Sequence, residues 1–206
     1  MVAVSKTKPN EDINELYEMG QRDFGENYVQ ELVAKHDALA KDILWHFIGH
    51  LQSNKIKYIA PFVHLIHGVD SLKLLEAINK EGKKIDRKIN CLLQVHIAQE
   101  ETKFGFDLEE AFLAAAKLFQ ENTLSHVNVC GLMGMASFSD DQTLVRSEFK
   151  SLKSLFDKIK QLSNVPSTFN TLSMGMSGDY TMAMEEGSNL VRVGSLIFGA
   201  RGTISA

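Results

Sequence analysis

The chain has 206 residues, of which 44% are hydrophobic and 23% are charged, and its formal net charge is −4. This length and composition suffice for one full hydrophobic core, so we expect a single domain over residues 1–206. The charges are interspersed without a basic run that would follow a nucleic-acid backbone, and no apolar stretch approaches the roughly 18 residues of a membrane span. The N-terminus lacks the pattern of a signal peptide. We therefore expect a cytoplasmic monomer that binds neither nucleic acid nor a membrane.

Apolar segments of strand length alternate with segments of helical periodicity along the whole chain. This alternation predicts βα units around a parallel sheet. The predicted strands lie near residues 2–5, 22–24, 44–48, 64–67, 89–95, 126–132, 168–172 and 190–193. Eight strands are typical of a closed (β/α)8 TIM barrel. An open doubly wound sheet is the alternative, but no strand is followed by a G-x-G-x-x-G motif that opens a helix, so a barrel is favoured.

The intervening helices carry local start and stop signals. Asn10 is the predicted N-cap of the first helix, Gly82 is predicted to end the helix that contains Leu72, and Asp107 with Glu110 is predicted to form a capping box. A further helix has one apolar stripe. Its members are Val145, Phe149, Leu152, Phe156 and Ile159. The last predicted strand ends about a dozen residues before the C-terminus, which is too few for a full eighth helix.

Functional groups of such a barrel lie at the C-terminal ends of the strands, and phosphate is often bound by the loops after strands seven and eight. The seventh loop reads S-M-G-M-S-G-D-Y from Ser173, and the eighth reads V-R-V-G-S from Val191. Glycine amides and hydroxyls in two adjacent loops predict a phosphate cradle. Taken singly, each loop is equally well explained by glycine turns and a serine cap.

Lys6 ends the first strand, where an apolar wall would lower the pKa of its amine and make it able to condense with an aldehyde. Lys8 would act in the same direction if its side chain lies near. A lysine beside a phosphate cradle predicts a phosphorylated aldehyde as ligand. Two candidates follow from this chemistry, a sugar phosphate bound as in a Schiff-base aldolase and pyridoxal 5′-phosphate (PLP).

Arg192 bears on this choice, because its guanidinium would either pair with phosphate or face a pyridine nitrogen. In the second arrangement the ring stays unprotonated and is a weaker electron sink. The competing interpretation is an ion pair with Glu185 or Glu186. No metal site is expected, since His46 and His50 lie at a predicted strand and no H-E-x-x-H motif occurs.

Long motifs in this sequence match one known family. They are V-A-V-S-K-T-K-P, F-G-E-N-Y-V-Q-E, W-H-F-I-G-H-L-Q-S-N-K, G-L-M-G-M-A, L-S-M-G-M-S-G-D-Y and E-E-G-S-N-L-V-R-V-G-S-L-I-F-G. From residue 2 to about residue 201 the chain resembles the pyridoxal phosphate homeostasis protein family, which is similar in fold to the N-terminal barrel of alanine racemase. Members usually carry about one more helix before the first strand, so the resemblance implies a barrel without the family's N-terminal helix.

The resemblance also implies a site and a cofactor, PLP. Lys6 would form the Schiff base, Arg192 would face the pyridine nitrogen, and Ser173 with the backbone of Gly194 and Ser195 would hold the phosphate. Three further residues would border the pocket. They are Asn27, His50 and Met174.

The family resemblance implies a function in intracellular vitamin B6 and amino acid balance, with PLP-dependent apoenzymes as candidate recipients of the PLP. A racemase needs a second acid/base, which alanine racemases take from a separate C-terminal domain, so we expect no strong catalytic activity. Two alternatives stay open. One is a weak PLP-dependent amino-acid racemase or lyase that uses the same lysine, and the other is an interaction protein with a vestigial pocket.

Overall fold

The structure is a computed structural model that describes residues 1–99, 104–121 and 123–199. Its strands are β1 (Val2–Val4), β2 (Asp23–Glu26), β3 (Leu44–Phe47), β4 (Leu65–Val69), β5 (Ile89–His96), β6 (Val127–Met135), β7 (Thr171–Ser173) and β8 (Arg192–Val193). All ladders are parallel, in the order β7-β6-β5-β4-β3-β2-β1-β8. The eight predicted strands are therefore confirmed.

The two ends of this sheet meet, which closes the barrel. Ser173 at the end of β7 forms a parallel bridge with Leu190, just before β8. The Arg192 N–H donates a hydrogen bond of 3.0 Å to the carbonyl of Gly175. These contacts, together with the β1–β8 ladder, complete a single-domain TIM barrel and exclude the open sheet.

Helices surround the strands and bury their apolar faces against the barrel. They are α1 (Asn10–Glu18), α2 (Val29–Ala38), α3 (Ile56–Ile59), α4 (Leu72–Lys84), α5 (Leu108–Glu121), α6 (Gln142–Lys160), α7 (Tyr180–Glu185) and α8 (Ser195–Phe198). The five predicted apolar residues of α6 are all buried in the main core cluster. Among the described residues, no helix is both long enough and apolar enough to cross a membrane.

Of the three local helix signals, the capping box is confirmed and the other two are not. Asp107 and Glu110 form the predicted capping box, with backbone N–H to carboxylate distances of 3.1 and 2.7 Å. The Asn10 prediction was wrong, because the helix begins at that residue and Pro9 precedes it as the N-cap. Gly82 does not end α4, which continues to Lys84. A Cβ at Gly82 would lie 2.6 Å from the Arg87 carbonyl oxygen, so this glycine permits close packing.

After β8 the chain forms the four-residue helix α8 and reaches Gly199. The prediction that too few residues follow the last strand for a full eighth helix concerns mainly residues 200–206, which lie outside the described residues.

Candidate functional site

A cavity of about 710 Å³ opens at the C-terminal ends of the strands. Five of the residues predicted from the sequence line it. They are Lys6, Asn27, Arg192, Gly194 and Ser195. The barrel therefore gathers residues on or just after β1, β2 and β8, as far apart in the chain as Lys6 and Ser195, at the face where TIM barrels carry their sites.

Lys6 is half-buried and is followed by a tight turn. The Lys8 N–H donates to the Ser5 carbonyl at 3.0 Å, and Thr7 has a φ of +65°, which is unusual for a β-branched residue. The Thr7 N–H donates to a carboxylate oxygen of Glu31 at 2.6 Å. This turn lets the chain leave β1 sharply and presents Lys6 to the cavity.

A buried cluster lies directly behind this turn. Lys35 Nζ donates to Glu26 at 2.8 Å, to Glu31 at 2.7 Å and to the Ser5 carbonyl at 2.8 Å. Ser5 Oγ donates to Glu26 Oε1 at 2.5 Å. Burial raises the pKa of Glu26 to about 7, although the hydrogen bond and charge of Lys35 act in the opposite direction. The cluster joins α2, β2 and the end of β1, and so fixes the backbone on both sides of Lys6.

Arg192 is 4% exposed and lies at the base of the cavity. Its guanidinium donates to the carbonyl of Ser173 at 3.1 Å, to Ser173 Oγ at 2.6 Å and to the carbonyl of Gly134 at 3.2 Å. Burial lowers the pKa of Arg192 to about 10, which still leaves the group cationic at neutral pH. The competing interpretation, an ion pair of Arg192 with Glu185 or Glu186, is excluded because both carboxylates bind Arg146.

The two glycine-containing loops meet as predicted. The Gly194 N–H donates to Ser177 Oγ at 3.2 Å, and both residues line the cavity with Ser195. Asp179 also lines the cavity, where its carboxylate accepts a hydrogen bond of 2.6 Å from the Met176 N–H. The serine that faces the cavity in the seventh loop is therefore Ser177.

The structure does not place Ser173, Met174 or His50 on the cavity wall. Ser173 is fully buried beneath Arg192, which holds its hydroxyl, and Met174 is fully buried in the core. His50 is exposed, with Nδ1 at 3.2 Å from Asp70, and it stacks on Phe104 with ring centroids 4.5 Å apart. Ser173 and Met174 are enclosed at the end of β7, and His50 lies beyond the end of β3, so direct contact of these three residues with a ligand stays a prediction.

Sequence reasoning missed a polar chain in the barrel interior. His46 on β3 and His67 on β4 are both buried, and their facing nitrogens are 2.9 Å apart. His67 also approaches Ser173 Oγ at 3.2 Å. The only sequence signal was a histidine inside each of two apolar strands, and nothing in the sequence showed that the two side chains meet in the barrel interior. Among the described residues, no group of three or more His, Cys, Asp or Glu side chains is arranged to hold a metal ion.

A closed parallel barrel with a lysine after its first strand and an arginine on its last defines an alanine racemase-like barrel protein. The family model described as alanine racemase, N-terminal domain, matches residues 2–202. The chain is 40% identical over 204 residues to the pyridoxal phosphate homeostasis protein of Pasteurella multocida, and the matched region covers 98% of this chain and 86% of that relative. The human protein of the same name is 37% identical, over 98% of this chain and 76% of its own length. The chain thus belongs to the pyridoxal phosphate homeostasis protein family.

Solved structures agree with this assignment. PipY of Synechococcus elongatus without PLP has a TM-score of 0.88 at 34% identity, and the superposed region covers 96% of this chain and 91% of the PipY chain. The same protein with PLP bound has a TM-score of 0.81 at 34% identity, over 97% and 92% of the two chains. An alanine racemase of Clostridium difficile shares the fold, with a TM-score of 0.76 at 14% identity over 52% of that chain.

Proposed function

We propose that this protein binds PLP as a Schiff base on Lys6 and serves in intracellular PLP and amino acid homeostasis, without strong catalytic activity. The observation that carries the proposal is the meeting of Lys6, Arg192 and the two glycine-containing loops in one cavity. The names of the relatives and the PLP bound to PipY support it. PLP-dependent apoenzymes are the recipients we propose for the cofactor.

The residues of the cavity fit this group. Lys6 is an amine for the aldehyde, Arg192 is a cation for the ring nitrogen, and Ser177, Gly194 and Ser195 form a polar wall for the phosphate. Asn27 Oδ1 is buried and accepts no hydrogen bond from the described part of the chain, so it is available to a ligand. We therefore propose Lys6, Asn27, Arg192, Gly194 and Ser195 as cofactor contacts. Ser177 joins them in place of Ser173.

When bound, PLP supplies an aldehyde that exchanges between amines and a ring that withdraws electrons from an attached amino acid. A guanidinium that faces the ring nitrogen keeps this nitrogen unprotonated, and so limits how far the ring stabilises a carbanion. Arg192 is suited to this role because its three hydrogen bonds all run to uncharged oxygens, which leaves its positive charge without a carboxylate at bonding distance in the described structure.

The side chains of the cavity wall also support the proposal that the protein retains the cofactor and has no strong turnover. Among its described residues there is no histidine, tyrosine or cysteine, which are side chains suited to general acid/base chemistry near neutral pH. Lys8 lines the cavity but donates to the Phe198 carbonyl at 2.7 Å. A weak racemase or lyase acting through Lys6 is the second candidate, because Lys6 itself is a competent base.

The test combines an absorbance spectrum with borohydride reduction and peptide mapping. We expect the purified protein incubated with PLP to show the visible absorbance of a Schiff base, and reduction to fix one pyridoxyl group on the peptide that contains Lys6. Lys6→Ala should abolish this modification. Lys8→Ala is the matched control, because it removes the neighbouring amine of the same cavity and should leave the modification on Lys6.

Two results would refute the proposal. One is a Lys6→Ala protein that keeps a reducible PLP after dialysis, and the other is a pyridoxyl group found on Lys8. Racemisation or elimination of any amino acid far above the rate with free PLP, abolished in Lys6→Ala, would instead establish the enzymatic candidate.

A further inference from the structure

We propose that Ser173, His67, His46 and Asp23 form a directional hydrogen-bond relay, which positions Arg192 and connects the cavity with the opposite end of the barrel. His67 is its central positioning residue. The role of Arg192 toward a ring nitrogen rests on the proposed function, whereas the relay itself is a property of the protein without cofactor.

The relay is continuous in the structure. Arg192 Nη1 is 2.6 Å from Ser173 Oγ, which is 3.2 Å from His67 Nδ1. His67 Nε2 is 2.9 Å from His46 Nδ1, and His46 Nε2 is 2.9 Å from Asp23 Oδ1. Each contact lies within hydrogen-bond distance.

The relay runs through the barrel interior and reaches solvent at its far end. Ser173 and His67 are fully buried, and His46 is 2% exposed. The side chain of Asp23, the first residue of β2, is 35% exposed. Because β2 begins at the end of the barrel opposite the cavity, the four residues span the interior from one face to the other.

Chemistry at the two ends fixes the direction of every hydrogen bond when both rings are neutral. A carboxylate only accepts, so the proton of His46 lies on Nε2, and Nδ1 must accept from His67 Nε2–H. His67 Nδ1 then accepts from the Ser173 hydroxyl. Arginine only donates, so Ser173 Oγ receives an N–H of Arg192. The hydroxyl is thereby oriented with a lone pair toward the guanidinium.

Uptake of one proton reverses the central part of the relay. The proton of His67 Nε2 moves to His46 Nδ1, the Ser173 proton moves to His67 Nδ1, and the incoming proton replaces the one on Ser173 Oγ. His46 is then a cation that donates to both Asp23 and His67. Ser173 now receives N–H groups from His67 and Arg192, so its own O–H turns away from His67. His67 therefore responds to acid by exchanging the position of its proton.

The surroundings of the relay favour a neutral His67 and an ionised Asp23. Burial lowers the pKa of His67 well below its usual range, with His46, Arg192 and His64 acting in the same direction. Burial also lowers the pKa of His64, whose ring centroid lies 5.3 Å from that of His46. The hydrogen bond with His46 lowers the pKa of Asp23, and the N-terminal ammonium adds to this.

The test uses nitrogen NMR of histidine-labelled, cofactor-free protein, with the ring signals assigned by single His→Gln variants. At pH 8 we expect His67 to carry its proton on Nε2. On acidification we expect this proton to appear on Nδ1 while the ring stays neutral. A proton on Nδ1 at pH 8, or acidification that makes His67 a cation without the exchange, would overturn the relay.

The matched pair of variants is Asp23→Asn and Asp42→Asn. Asparagine keeps an acceptor for His46 but removes the charge, so we expect the exchange at His67 to move to lower pH by about one unit in Asp23→Asn. Asp42 is an exposed carboxylate that pairs with Arg22 and has no part in the relay, so Asp42→Asn should leave the exchange in place. Equal behaviour of the two variants would contradict the proposal.

A second measurement connects the relay with the cavity. In protein loaded with PLP, we expect a step in visible absorbance at the pH of the His67 exchange. In Asp23→Asn, the absorbance step and the exchange should move together to lower pH. Absence of this step in a protein that retains PLP would refute the positioning of Arg192. A protein that fails to retain PLP would refute the proposed function, while the NMR result decides the relay separately.

Discussion

At the scale of single residues, Glu26 is the group whose ionisation should most affect stability. Burial raises its pKa to about 7 from an ordinary value of 4.5, so between these values the folded state binds more protons than the unfolded state. Its contribution is complete below pH 4.5 and is lost as the pH rises through 7. Between pH 4.5 and pH 8 we expect the free energy of unfolding of Glu26→Gln, relative to that of the wild type, to rise by on the order of 3 kcal/mol, measured by urea unfolding.

The comparison must be the difference between the two proteins at each pH, because burial lowers the pKa values of His64 and His67 in the folded state, and this affects the free energy of unfolding with the opposite sign. A difference that stays constant from pH 4.5 to 8 would show that Glu26 remains ionised throughout. Glu31→Gln is the control, since its side chain meets the same Lys35 from a partly exposed position and should give a much smaller change.

Individual site residues were predictable from the sequence where one local pattern carried the information. Lys6 lies two residues after the end of β1, Arg192 is the first residue of β8 and Gly194 follows that strand, so their positions follow from the strand ends alone. For the other site residues, contact with the cavity depends on which way each side chain points. Ser173 ends β7 and Ser177 lies in the loop that follows, and no local signal showed that the first is enclosed by Arg192 while the second faces the cavity. The Glu26–Lys35 pair depends on how α2 packs, which no short motif encodes.

At the scale of elements, β6 depends on a glycine at its bulge. The pairing with β5 shifts between Cys91 and Leu92, so Cys130 is an extra residue and Gly131 resumes the ladder beside Thr171 of β7. A Cβ at Gly131 would lie 1.7 Å from the Thr171 carbonyl oxygen. We expect Gly131→Ala to cost about 3 kcal/mol or more of unfolding free energy, or to prevent folding.

Gly178→Ala is the control for this substitution. A Cβ at Gly178 would meet no atom within 4 Å, so its effect on unfolding should stay within about 0.5 kcal/mol. Thermal unfolding followed by circular dichroism compares the two variants. Equal melting temperatures for both would mean that β6 and β7 separate easily, contrary to the close approach seen here.

At the scale of the whole molecule, the order of elements was predictable because eight apolar segments and intervening helical stripes determine a barrel almost without reference to loops. The closure of the barrel between β7 and β8 was less predictable. β7 and β8 have only three and two residues, and they meet through a single bridge rather than a ladder. Their sequences therefore carry little strand signal, and the closure depends on contacts from the loop between them.

Ser188 contributes polar contacts at this closure. Its hydroxyl lies 2.7 Å from the Met174 carbonyl and 3.2 Å from the Leu172 carbonyl, so it joins the segment before β8 to β7. We expect Ser188→Ala to lower the unfolding free energy by about 1 kcal/mol. The loss should be local, with faster hydrogen exchange at the amides of Leu190 and Arg192, which donate to Leu172 and Gly175.

Ser151→Ala gives the matched comparison, because the Ser151 hydroxyl donates to Glu148 within α6, away from the closure. Its effect on exchange at Leu190 and Arg192 should be nil. If Ser188→Ala accelerates exchange equally in β3 and β4, the barrel opens as a whole and the closure is no weaker than the rest. Exchange confined to β7 and β8 would instead identify this side as the part that opens first. Since Arg192 lies on β8, such opening would also be the route by which the base of the cavity loses its order.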